Sequence, residues 1–252
     1  MTQIFSREIQ CAICGHPSAH DVVISMHVTG WPDMDGRHSG MEGKIFALSN
    51  QRCPSCGYCA SDISKASVNA KEIIKSQAYC EQLENPDFSP LANSFLCQSM
   101  IFEKDGDFSS AGWASLKAAW ACDDRNHHDG AKKCRLRAVE MFKRTMDSGE
   151  KFSGHFDNED VILTDLLRRA ERFEEALAVC EEGLAKNLDE QFRKFLEFEK
   201  ALIEKEDSGS ANSSTVLFAG VFRKMEEKGI KKKVFTRQEL DALVKESENG
   251  SK

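Results

Sequence analysis

Cys11-Ala-Ile-Cys14-Gly15 and Cys53-Pro-Ser-Cys56-Gly57 are the two stretches on whose reading the fold depends. Cysteines two residues apart place both sulfurs on one tight turn, and the glycine after them tolerates the backbone angles such a turn needs. Both stretches carry that glycine. Four thiolates from Cys11, Cys14, Cys53 and Cys56 satisfy the tetrahedral preference of zinc and leave no position open for a substrate water. The expectation is a structural zinc ion without zinc chemistry. A redox dithiol is the weaker reading, because it needs a single CxxC opening a helix after a strand.

Between the knuckles, Asp21 to Val28 (DVVISMHV) and Lys44 to Ser49 (KIFALS) are β-prone, which predicts a zinc ribbon over residues 1–60. The 38 residues from 15 to 52 exceed the roughly 15 to 20 of the commonest double-CxxC spacing, so an excursion must fill the interval. Cys59, His16 and His20 are rivals for ligation. Their simpler roles are packing for Cys59 and surface or supporting positions for the histidines. The excursion, residues 30–40 (GWPDMDGRHSG), gathers Trp31, Asp33, Asp35, Arg37 and His38. It lacks the ligand series of a calcium loop, and Asp-Gly is itself a turn signal, so a structural turn is expected and a recognition loop is its rival.

Composition narrows what the metal module is attached to. The chain has 252 residues, a 40% hydrophobic fraction and a formal net charge of -7, with a pI near 5.6. Such an acidic balance disfavours a generally nucleic-acid-binding surface, which needs clustered Lys and Arg. The opening residues hold no apolar signal core, and no run approaches the ~20 apolar residues of a membrane span, so a cytoplasmic protein is expected. Its ten cysteines are then thiols and metal ligands rather than a disulfide framework. Cys80, Cys97, Cys122, Cys134 and Cys180 sit singly in helical patterns as small buried hydrophobes.

After Cys59 the period becomes helical. Ile63, Ala66, Ala70, Ile73, Ile74 and Ala78 predict one helix ending at Asn85-Pro86, and Ser89-Pro90 opens the next. Phe95, Phe102, Phe108, Ala111 and Ala118 fall where a tetratricopeptide (TPR) helix pair places its packing residues, with Gly106-Asp107 as the turn. A second pair spans about 161–187, with Leu163, Leu167, Phe173, Ala176 and Gly183 in matching places around Ala170-Glu171-Arg172. The 65 residues from Ala111 to Ala176 are close to twice the ~34-residue period, so a degenerate unit is predicted at 124–156. A terminal helix over 189–206 covers the stack, its charges reading as a solvated face. Trp113 and Trp120 read as core, and His127-His128 with Asp129 and Cys134 as a helix entry rather than a second metal cluster.

Residues 207–215 (DSGSANSST) read as a flexible polar linker. Residues 223–237 carry seven basic residues against Glu226 and Glu227. That segment is simplest as solvated surface and otherwise as a contact for nucleic acid or an acidic partner. Thr236 and Glu239 suit a capping box for a last helix. Cys11, Cys14, Cys53, Cys56 and the CPSCGY run, followed by TPR-like helices, resemble an uncharacterised bacterial family, a domain of unknown function that joins a paired-CxxC zinc module to a TPR-like body. The resemblance carries over no catalytic residue. No Ser-His-Asp set, phosphate loop, HExxH or dinucleotide fingerprint points to an enzyme.

The chain is therefore expected to be mainly α, with a small N-terminal zinc ribbon (1–60), a TPR-like helical domain (61–206) and a linker with a basic tail (207–252). Its expected function is protein or peptide binding, with nucleic-acid binding through the ribbon and tail as the alternative.

Overall fold

The computed structural model describes residues 3–25, 30–38, 43–153 and 159–219. The chain divides into two compact units, Met1–His27 with Glu42–Glu159, and Val28–Met41 with Asp160–Lys252. The division is by space and not by chain order, since residues 28–41, from the middle of the segment between the knuckles, belong with the C-terminal helices. The protein is mainly α, with small β elements at its N-terminus.

In the first unit, strands β1 (Gln3–Gln10) and β2 (Pro17–Ser25) form an antiparallel hairpin whose turn is the first CxxC knuckle. The strand Gln3–Gln10 had no counterpart in the sequence pattern. The predicted strand at Lys44–Ser49 is instead helix α1 (Gly43–Ala47). A turn of helix lets Phe46 drop inward, fully buried, where its ring stacks on Phe95 at 5.2 Å and meets Trp120 at 6.0 Å. A strand there would need a partner edge. Strands β3 (Gln51–Arg52) and β4 (Cys59–Ala60) then pair around the second knuckle.

The single helix predicted from Ile63 to Asn85 is two short ones, α2 (Ala70–Ile73) and α3 (Gln77–Leu83). Asp62 accepts from the backbone N–H and hydroxyl of Ser64, a local turn that competes with helix, and Ser76 restarts the chain by accepting from the Tyr79 N–H. The apolar spacing located part of the burial: Ile63, Ala70 and Ile74 share one core with Cys97 and Ile101, whereas Ala66 and Ala78 are exposed and the buried residue of α3 is Tyr79.

Helix α4 (Pro90–Asp105) begins as predicted. Ser89 caps it by accepting from the Ala92 N–H at 3.2 Å, with proline in the first turn. It ends at Gly106, left-handed at φ 82°, and Asp107 caps α5 (Phe108–Asp123) by accepting from the Ser110 N–H. The two pack as an antiparallel pair with Phe95, Ala111 and Ala118 fully buried. The predicted degenerate unit is one long helix, α6 (His128–Asp147), lying along α5. Gly112 permits the approach, since a Cβ there would stand 2.4 Å from the Phe142 ring. Trp113 donates to the Phe152 carbonyl at 2.9 Å, and Phe142 and Phe152 stack at 4.0 Å, which places both tryptophans of α5 in packing roles.

In the second unit, α7 (Glu159–Arg169) and α8 (Phe173–Leu184) are joined at Ala170–Arg172, with Glu171 left-handed at φ 60°. Helix α9 (Glu190–Ile203) comes next, capped by Asp189. Gly183 is a small position by necessity, because a Cβ would meet Leu196 at 2.8 Å and Asp160 at 2.9 Å.

The charges of α9 are not all solvated. Glu199 is fully buried, and it receives the Nε of fully buried Arg168 at 2.6 Å. Arg168 also donates to Asp165 at 2.8 Å and to the carbonyls of Asp207 and Gly209 at 2.6 and 2.8 Å. Residues 207–213 are therefore held in place and do not behave as the flexible linker expected. Helix α10 (Ser213–Leu217) lies beyond them, capped by Asn212.

The loop 30–38 also belongs to this unit. It makes the expected turn at Gly36, where φ is 83°, and pairs Pro32 with His38. Asp33 bridges Asn212, Met34 donates to the Ala211 carbonyl at 2.9 Å, and buried Asp35 receives Arg169 at 2.9 Å.

Three carboxylates and two guanidiniums are thus buried near one another. Burial first, and then the Glu199 charge, push the Asp165 carboxyl up to about 8, and Oδ2 of Asp165 has no hydrogen-bond partner. Between the ordinary carboxylate value of about 3.9 and that value, the folded chain holds a proton that the unfolded chain has lost. This contribution favours folding at low pH and is lost as pH rises through the folded value. Asp165→Asn is therefore expected to gain stability relative to the wild chain as pH is raised from about 5 to 8, and urea unfolding at several pH values checks it.

Candidate metal centre

Each knuckle is a hairpin turn built by the same bonds. In the first, the Cys11 N–H donates to the His16 carbonyl at 3.0 Å and the Gly15 N–H to the Cys11 carbonyl at 2.8 Å. In the second, the Cys53 N–H donates to the Tyr58 carbonyl at 2.8 Å and the Gly57 N–H to the Cys53 carbonyl at 3.0 Å. Gly15 and Gly57 have the same φ of 73°. This left-handed geometry turns the chain after the second cysteine into the returning strand, and only glycine adopts it freely. At Gly57 a side chain would also strike Leu83 at 2.5 Å.

The two turns face each other with their cysteines crossed. Sγ of Cys11 lies 3.7 Å from Sγ of Cys56, and Sγ of Cys14 lies 3.7 Å from Sγ of Cys53. All four sulfurs lie within 4.8 Å of one another and can hold one metal ion. These separations are far beyond the ~2.05 Å of a disulfide, and all four cysteines are free thiols. The inner side of the site is dry and the outer side wet: Cys11 and Cys53 are buried, Cys56 is half-buried and Cys14 is exposed.

A shared core supports both turns. The Ala12 N–H donates to the Ile63 carbonyl at 2.8 Å, and the Ile63 N–H donates to the Gln51 side chain at 3.0 Å, tying the first knuckle to the strand that leads into the second. The Tyr79 hydroxyl donates to the Gly57 carbonyl at 3.0 Å and accepts from the Cys59 N–H at 3.1 Å. That hydroxyl is a crossbar from α3 to the second knuckle. The Tyr58 hydroxyl donates to the Lys65 carbonyl at 2.7 Å.

Without an ion the thiols differ in acidity. The backbone N–H of His16 holds Cys14 down at about 7, while burial pushes Cys11 and Cys56 up. Cys14 thus becomes an anion before Cys11 or Cys56.

The rivals for ligation fall outside the group of four. Cys59 is fully buried and donates its thiol to the Gly57 carbonyl at 3.3 Å, the packing role expected where ribbon meets helix. His20 hydrogen-bonds Ser18 at 2.9 Å, and His16 is exposed. His127 packs its ring against Phe88. Among the described residues, Cys11, Cys14, Cys53 and Cys56 form the one group of metal-binding side chains close enough to share an ion. Among those residues no helix is long and apolar enough to cross a membrane. The basic segment 223–237 and the capping box at Thr236 lie outside the described residues.

Sequence pattern missed the buried set of Asp165, Arg168 and Glu199. Its one signal was charges at inward positions of helices otherwise read as amphipathic. Every N–H of the Arg168 guanidinium is committed to Asp165, Glu199 or the carbonyls of 207 and 209, so the set acts as a clasp. No known protein family, curated protein or solved structure matches this chain.

Proposed function

We propose that this chain is a non-catalytic cytoplasmic zinc protein whose TPR-like helical body binds a protein or peptide. The observation that carries the metal assignment is the crossed pair of 3.7 Å sulfur separations. Four thiolates at about 2.3 Å from a tetrahedral zinc stand about 3.8 Å apart along each edge. A closed set of four sulfurs is the chemistry of a structural ion, with Cys11, Cys14, Cys53 and Cys56 as its ligands. Zinc there would fix the two knuckles on the helical core.

The binding role rests on the surface beside that core. A groove of about 700 Å³ between α2, α3, α4 and α6 is lined by Ile73, Leu96 and Met100 and by the charged Glu81, Glu103, Lys104, Arg137 and Arg144. Such a mixed lining, apolar at Ile73, Leu96 and Met100 and charged around them, suits a short peptide that carries both apolar and charged side chains.

Elemental analysis of the purified chain is expected to return one zinc per chain; a metal-free, fully folded chain would refute the assignment. For the binding role, Met100→Glu is expected to lose proteins that the wild chain captures in a pull-down. Identical capture by both would count against the groove.

A further inference from the structure

The hairpin β1–β2 is a two-stranded sheet, and such a pair is marginal in water unless a third strand or another layer joins it. All of β1 but Ile9 is exposed. Of the five exposed large apolar side chains among the described residues, three cluster at the open end of this hairpin: Ile4 at 39%, Phe5 at 57% and Ile24 at 63%. Ile4 and Phe5 point to opposite faces, so no single flat surface covers both. An added strand extends both faces at once.

The backbone of β1 says which strand fits. The Cys11 N–H donates to His16, and the strands keep that pairing through Gln10 and Pro17 to Ile4 and Val23. Antiparallel ladders alternate, so odd-numbered residues of β1 turn their N–H and C=O towards β2 and even-numbered ones turn them outward. Pro17, which has no N–H, stands opposite Gln10 as that alternation requires. Ile4, Ser6, Glu8 and Gln10 thus present a comb of donors and acceptors along an edge that no strand among the described residues pairs with.

We propose that a second copy of this chain occupies that edge, with β1 pairing antiparallel to β1 about a two-fold axis at Ser6. The result is a four-stranded sheet in the order β2, β1, β1, β2. Outward-facing residues must pair with outward-facing residues, which restricts the axis to a residue of β1. An axis at Arg7 sets two guanidiniums directly opposite each other, and an axis at Phe5 leaves a ladder of only Ile4 and Ser6. The axis at Ser6 pairs Ile4 with Glu8 and sets Phe5 against Arg7 of the second copy, twice. A guanidinium over an aromatic face is attractive, and both side chains are exposed in the single chain. Such a self-complementary contact closes as a dimer.

Light scattering on the full-length, metal-loaded chain tests this. The wild chain is expected at twice the 28.2 kDa of one chain at tens of micromolar. Ser6→Pro removes an outward N–H while sparing the bonds to β2, and Phe5→Arg sets like charges opposite each other. Each is expected to weaken association at least tenfold with unchanged circular dichroism and metal content. Adding Arg7→Glu to Phe5→Arg restores opposite charges and is expected to restore the dimer. A wild chain that stays at single-chain mass, or a dimer that survives both single substitutions, overturns the proposal. Failure of the paired substitution to restore association overturns the axis at Ser6.

Discussion

Cys53→Ser is expected to abolish metal retention and to unfold the knuckle region together with α2 and α3. Cys53 is fully buried and stands 3.7 Å from Cys14 across the site, so its loss removes a ligand that no neighbouring side chain replaces. A preformed site is absent from the unfolded chain, so metal binding free energy is folding free energy. For small structural zinc sites it amounts to about 10–16 kcal/mol, as large as the whole net stability of a typical domain. The same core that supports the knuckles contains Ile63, Tyr79 and Cys97, and the collapse should therefore spread into the first helices. Cys59→Ser is the contrasting variant. Its thiol donates to a backbone carbonyl outside the four-sulfur group, so it is expected to keep its metal while losing a little stability. Metal content and circular dichroism of the two variants check the pair of expectations. A Cys53→Ser chain that kept both would refute the site.

Arg168→Met is expected to cost the second unit about 3–5 kcal/mol, the scale for removing one partner of a buried ion pair. The substitution deletes the hydrogen bonds to Glu199 and Asp165 and leaves two carboxyl groups buried. It also strands the carbonyls of Asp207 and Gly209, which Arg168 holds at 2.6 and 2.8 Å. Residues 211–213 carry the bonds to the loop 30–38, so the loop should loosen with them. Lysine at this position keeps the charge but cannot reach both carboxylates and both carbonyls with one fork, and is expected to recover only part of the loss. Urea unfolding measures the difference, and limited proteolysis near residue 209 reports the release. A loss below about 1 kcal/mol would show that the clasp contributes little net stability.

Much of this architecture was legible because it rests on local chemistry. Ser89-Pro90 and Gly106-Asp107 bound α4 and α5 as capping and turn rules require. The small positions Ala111, Ala118 and Gly183 fell where helices approach closely. Other readings failed where a distant partner overrode local preference. The β-prone run at Lys44–Ser49 became a helix because Phe46 finds Phe95 and Trp120. The polar run at 207–215 was ordered because a buried arginine from α7 donates to its carbonyls. Neither partner is visible in the spacing of the segment it rearranges.

The chain by itself determined the four sulfurs, their pairing into two glycine-closed turns and the helical nature of the residues beyond Cys59, since a CxxCG turn and an apolar period are written within a few residues. Only the tertiary structure decided that Cys11 meets Cys56 and Cys14 meets Cys53, and that residues 28–41 between the knuckles belong with the last helices. It alone decided that Glu199 and Arg168 lie inside. Burying a charge is favourable only when its counter-charge and hydrogen-bond partners arrive at the same place. Here those partners come from residues up to 41 positions away, a distance over which sequence pattern carries no orientation.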